Sequence, residues 1–180
     1  MSRFPSNIAL AAGLLALSGC GGLQTAAGPQ FAPPCPQPVL IRPAEDLTTY
    51  NGAGRDLTDM VLDGRITGLN GSCRLADKPG RLDVTVQVGM ELARGPAARG
   101  RALDVPYFVA VTEREQILGK HTLQEHVVFP PNVDRVQVTT RPVGLQLPVS
   151  PQKSGAAYTV AVGFQLTPGE LQQNRARGPR

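Results

Sequence analysis

Between Cys35 and Leu166 the apolar positions recur at every second residue. That is the period of a strand, whose side chains alternate between two faces. The clearest segment is 81–92. Leu82, Val84, Val86, Val88, Met90 and Leu92 share one face, and Asp83, Thr85, Gln87, Gly89 and Glu91 share the other. One core face and one wet face are the mark of an antiparallel strand. The same period predicts strands at 37–42 (Val39, Ile41), 57–68 (Met60, Leu62, Ile66) and 106–112 (Tyr107, Val109, Val111). It also predicts strands at 121–129 (Leu123, Val127, Phe129), 133–140 (Val136, Val138) and 157–166 (Tyr158 to Leu166).

Turn residues punctuate this pattern. Asn70-Gly71, Lys78-Pro79-Gly80 and Pro130-Pro131-Asn132 predict turns. Pro106 predicts an edge strand or the beginning of a strand, because it has no N–H for a ladder. Short strands with frequent turns predict an all-β domain over 35–166. The expected architecture is a single antiparallel β-sandwich of immunoglobulin-like kind, with a small closed barrel as the alternative. No Trp marks a true immunoglobulin core. Residues 167–180 break the period. Thr167-Pro168-Gly169-Glu170 has capping-box spacing with Pro at the first helical position, so a short helix is expected from 168 to about 174. Arg175 near its end complements the helix dipole, and a frayed tail follows.

The N-terminus is organised differently. Arg3 precedes the uncharged apolar run Ile8 to Leu17, and small residues Ser18 and Gly19 follow. This is the layout of an export signal, and the run is too short to span a bilayer, which takes roughly 20 residues. Leu17-Ser18-Gly19-Cys20 resembles a bacterial lipobox. The resemblance implies cleavage after Gly19 and lipidation of Cys20, with residues 1–19 removed. Membrane attachment through acyl chains would follow, stable when two or more chains are buried. In proteobacterial lipoproteins an Asp after the lipidated Cys favours the inner membrane. Gly21 stands there instead, which implies the periplasmic face of the outer membrane. In this respect the chain is similar to small proteobacterial envelope lipoproteins. Residues 20–34 then comprise the lipidated Cys and a flexible linker, since GGLQTAAGPQFAPP carries no charge and no apolar period. Its 14 residues reach about 45 Å at most.

Charge changes little. The full chain carries +4, and removing residues 1–19 takes away Arg3 and no acid, leaving +3. Basic residues are scattered, which is no nucleic-acid footprint. Cysteine matters more. With Cys20 assigned to lipid, Cys35 and Cys73 remain, and an even pair in an oxidising compartment predicts a disulfide. Cys35 lies where the linker meets the first strand, and Cys73 in the expected turn after the second. Two sequential antiparallel strands would bring them together.

Candidate chemistry is sparse. His121 and His126, five apart on a strand, face opposite sides and cannot jointly hold a metal. Asn51-Gly52-Ala53-Gly54-Arg55-Asp56 lacks the third Gly and the Lys of a phosphate loop. The alternatives there are a local ion pair among Arg55, Asp56 and Asp59, or a partner-binding loop. Arg94, Arg99 and Arg101 fall together in 94–101, either a solvated connection or a contact for acidic headgroups or an acidic partner. Glu113 and Glu115 flank Arg114 and are read as a solvated turn. No G-x-S-x-G and no HExxH occurs. The expectation is a non-enzymatic binding or scaffolding lipoprotein of the cell envelope. It needs no cofactor, metal or nucleic acid; its contacts are the membrane through Cys20 and an envelope protein partner. The alternative is an envelope hydrolase using scattered carboxylates. Cys20→Ser is expected to abolish fatty-acid incorporation and leave an unprocessed or mislocalised precursor. Equal radiolabelling of variant and wild type would refute the lipobox.

Overall fold

A computed structural model describes residues 35–178. The lipobox, Cys20 and the linker lie outside the described residues. The described chain forms nine strands: β1 (Gln37–Leu40), β2 (Asp46–Tyr50), β3 (Met60–Leu75), β4 (Arg81–Arg94), β5 (Ala102–Glu113), β6 (Gln116–Val128), β7 (Arg135–Thr139), β8 (Val143–Pro148) and β9 (Tyr158–Phe164). One helix, α1 (Pro168–Arg177), follows.

The strands make two sheets, ordered β1-β9-β5-β6 and β2-β3-β4-β7, with β8 also paired to β4. No ladder joins the two sheets, so the barrel alternative is not the form adopted. Every pairing is antiparallel except β1 with β9, which is parallel. A single apolar core draws Leu47, Leu62 and the β4 face from one sheet, and Val105, Tyr107, Val109, Tyr158 and Val160 from the other. The alternating face of β4 lies entirely in this core, as its period predicts.

Three expectations need correction. Asn70 and Gly71 are not in a turn. They lie inside β3, paired with Gln87 and Val86, and the chain reverses instead at 76–80 around Lys78-Pro79-Gly80. Strand pairing overrides the local turn preference because the flanking residues continue the ladder. Pro106 is neither on an edge strand nor at a strand start, since β5 lies between β9 and β6. Its carbonyl accepts from the Gln165 N–H at 2.9 Å. The flank on which it has no donor therefore faces the chain just past β9, and the one reciprocal bond it cannot make falls beyond the last ladder pair, Tyr107 with Phe164. Finally, β2 and β8 appear where no strand is expected. β2 is short and partly polar and gives no alternating signal, whereas β8 does alternate, with Val143, Leu145 and Leu147 turned to the core side and Gly144, Gln146 and Pro148 to solvent.

Thr140 explains why β7 and β8 are separate. Its N–H donates to the Val88 carbonyl at 3.0 Å, and its Oγ1 accepts from the Val88 N–H at 3.1 Å. Only 1% exposed, it replaces a backbone carbonyl with a hydroxyl in the β4 ladder. Arg141-Pro142 then shifts the chain before pairing resumes.

The capping box forms as predicted: Thr167 Oγ1 accepts from the Glu170 N–H, and the Thr167 N–H donates to Glu170 Oε2 at 2.8 Å. The helix runs to Arg177, a turn longer than expected. Asn174 anchors it, donating to the Pro43 and Asp46 carbonyls at 2.8 and 2.7 Å.

Cys35 and Cys73 are disulfide-bonded, with Cα atoms 5.7 Å apart, inside the reach of such a bond. The expected reason was wrong. Cys35 precedes β1 in one sheet and Cys73 lies within β3 in the other. The bond therefore ties the two sheets together instead of closing a pair of adjacent strands. Cys35→Ser and Cys73→Ser are each expected to destabilise the domain by about 2–5 kcal/mol, and the double variant by no more than either single one. Denaturant midpoints of the three variants measure this; additive losses would show that the cysteines act separately.

Candidate functional site

Two loops that are distant in sequence meet at one end of the sandwich. The 51–59 loop closes on itself through the Asn51 N–H to the Asp59 carbonyl, 2.8 Å. The 95–101 loop docks on the start of β3: the Gly95 N–H donates to Val61 at 2.8 Å, and the Ala97 N–H donates to Met60 at 2.9 Å. A Cβ on Gly95 would lie 2.1 Å from the Met60 carbonyl oxygen, so only Gly permits this approach. The 129–134 segment completes the end, with the Phe129 N–H on the Arg101 carbonyl and the Arg94 N–H on the Asp134 carbonyl, both 2.7 Å.

The charged side chains here have different fates. Arg55 does not form the ion pair considered for it with Asp56 or Asp59. Its Nη1 donates to the Gly52 and Gly54 carbonyls at 3.2 and 2.6 Å, and its guanidinium lies 5.2 Å from the Tyr50 ring centroid. Asp59 packs against Gly54, where a Cβ would lie 1.9 Å from its Oδ2. Arg94 is not a loop residue but the last residue of β4. It pairs with Asp134 at 2.5 Å and reaches the Gly100 carbonyl at 3.5 Å. Arg99, Arg101 and Asp56 are exposed and make no ion pair among the described residues. The loop end therefore offers two free guanidinium groups on a backbone held by the other charges.

Elsewhere the candidate groups are engaged or apart. His121 and His126 are exposed on edge strand β6, and His126 Nδ1 lies 2.7 Å from Asp104 Oδ1. Glu113, at the end of β5, pairs with Lys153 at 2.7 Å, while Glu115 lies exposed on the following turn. Hydrogen bonds to Glu113 and then to Tyr158 raise the Lys153 ammonium above its ordinary value. Among the described residues no three His, Cys, Asp or Glu are grouped as metal ligands.

Two polar clusters escaped the sequence. Asp46, 4% exposed, faces Arg177 at 3.7 Å and Arg65 at 4.0 Å beneath α1. Its partners lie far along the chain, so no local spacing announces them. Tyr107 is buried, which pushes its hydroxyl above the usual phenol value, opposed by a hydrogen bond with Thr140. Both clusters hold elements together. A depression of about 230 Å³ beside Asp46 is lined by Arg42, Pro43, Asn174 and Arg175.

No protein-family model matches the chain, and no similar curated protein or solved structure is found.

The arginines at this end separate by what they touch. Arg94→Gln is expected to cost up to about 1 kcal/mol of stability, the usual range for an exposed ion pair. Arg99→Gln and Arg101→Gln should each fall within about 0.5 kcal/mol of wild type, as for surface substitutions without partners. Urea unfolding of the three variants checks the ranking, and a larger loss for Arg99→Gln or Arg101→Gln would give those side chains a structural role.

Proposed function

We propose that this protein is a lipoprotein of the cell envelope, anchored through Cys20 at the periplasmic face of the outer membrane. In this reading it is a non-enzymatic binding or scaffolding module, not a catalyst. The observation that carries it is the N-terminal order of Arg3, the apolar run and Leu17-Ser18-Gly19-Cys20. The Cys35–Cys73 disulfide supports it, because such bonds persist in oxidising compartments.

The partner surface in this reading is the loop end, with Arg99 and Arg101 as its free cations. Arginine suits such a contact, since its planar fork binds carboxylates in a bidentate manner. The partner is accordingly an envelope protein with an acidic face. Two sheets around one core, antiparallel except for β1 beside β9, support an immunoglobulin-like sandwich in the broad sense. The three consecutive strands β2, β3 and β4 lie side by side in one sheet, which differs from the ABED and CFG strand distribution of antibody domains.

Crosslinking in intact cells tests the partner surface. The Arg99→Glu/Arg101→Glu double variant should lose crosslinked product several-fold, while Lys78→Glu at the opposite end should retain it. Equal products from all three proteins would remove the loop end from the contact.

A further inference from the structure

The end of the sandwich opposite the loops has its own chemistry. The tips of the β3–β4 and β5–β6 hairpins lie there side by side. Tyr158 pairs with Glu113 at the end of β5, its hydroxyl donates to the Pro148 carbonyl at 2.5 Å, and Pro148 pairs with Arg81 at the start of β4. The Lys153–Glu113 ion pair ties the connection between β8 and β9 to the same place.

Large apolar side chains stand in solvent at these tips. Leu75, the last residue of β3, is 71% exposed, and Ile117, just after the β5–β6 turn, is 65% exposed. A depression of about 340 Å³ beside Leu75 is lined by Leu82, Val149 and Pro151. Exposed apolar groups of this size occur singly on many proteins. What gives these a meaning is the position of the chain entrance. Cys35 is buried and bonded to Cys73, two residues before Leu75, and β1 begins beside the start of β9. The chain outside the described residues therefore joins the domain at the hairpin-tip end. Only 14 residues separate Cys20 from Cys35.

We infer that the hairpin-tip end of the sandwich rests on the lipid bilayer, with Leu75 and Ile117 dipping into the interfacial region. The inference rests on the reading of Cys20 as the lipid anchor. A short tether raises the effective concentration of this end at the membrane, so a contact too weak to recruit a free protein still forms. Around the tips, Arg74, Lys78, Arg81, Arg114 and Lys153 nearly balance Asp77, Asp83, Glu113 and Glu115. Charge therefore contributes little, and the apolar side chains carry the contact. The disulfide fixes which end faces the bilayer, since it clamps the chain entrance to β3. The loop end is thereby turned away from the membrane.

The chain has no Trp, so a single introduced Trp reports its own surroundings. Leu75→Trp and Leu57→Trp place one at each end, at sites 71% and 72% exposed. Each full-length, lipidated variant is reconstituted into phosphatidylethanolamine–phosphatidylglycerol vesicles containing acyl-brominated phosphatidylcholine. Trp at 75 should emit at shorter wavelength and be quenched several-fold more than Trp at 57. Ile117→Trp supplies a second reporter should Leu75→Trp misfold, and should behave like Trp at 75. Flotation of the protein with vesicles but equal quenching at both ends would overturn the contact alone. Failure to float would overturn the anchor, and the contact with it. A blue shift at 75 without bromolipid quenching, in a protein that sediments as a dimer, would mean that a second copy covers this end, which also overturns the inference.

Discussion

Six side chains on one face of β4, Leu82 through Leu92 at alternate positions, are 0–2% exposed, and their removal from water organises the domain. Each such burial is worth about 1.5–3 kcal/mol relative to full exposure, as an upper estimate. The same strand carries β3 on one flank and β7 and β8 on the other. Its wet face, with Asp83 and Glu91, supplies partners for Arg74 and Arg135. A one-residue slip of β4 would put all six apolar groups in solvent, so its register is strongly fixed. The Thr140 break follows from that fixed register, because β7 and β8 must both follow β4 although the chain between them does not.

The second organising feature is that the sandwich has two unlike ends. At one, the disulfide joins the chain entrance to β3, and exposed apolar residues flank the hairpin tips. At the other, three loops are knitted by backbone hydrogen bonds. The arginines divide accordingly. Arg55 and Arg94 spend their donors on backbone carbonyls and on Asp134, which shapes the loops. Arg99 and Arg101 remain exposed beside them. Charges with structural duties and charges left exposed thus sit within one surface, and composition alone cannot tell them apart.

Much of the fold was legible because it depends on local period and local chemistry. Alternation located β4, β5, β6 and β9, and the capping box located α1, since each signal lies within a few neighbouring residues. The disulfide pairing followed from cysteine number. The short strand β2 was not legible, because its pairing is decided by β3; β8 carries the period-two signal at Val143, Leu145 and Leu147, although it is absent from the expected strands. Asn70-Gly71 misled for the same reason: a weak turn preference lost to a ladder that continues on both sides.

By itself, the sequence determined the strand period, the capped helix, the cysteine pair and a lipobox-like N-terminus. These are properties of short stretches, set by side-chain alternation, hydrogen-bond spacing and residue type. Tertiary structure alone decided that Cys35 and Cys73 join two sheets, that the 51–59 and 95–101 loops share one end, and that Asp46 meets Arg177. It also decided which arginines are left free. Those outcomes depend on contacts between residues far apart in the chain, and only the packing of one sheet against the other selects them.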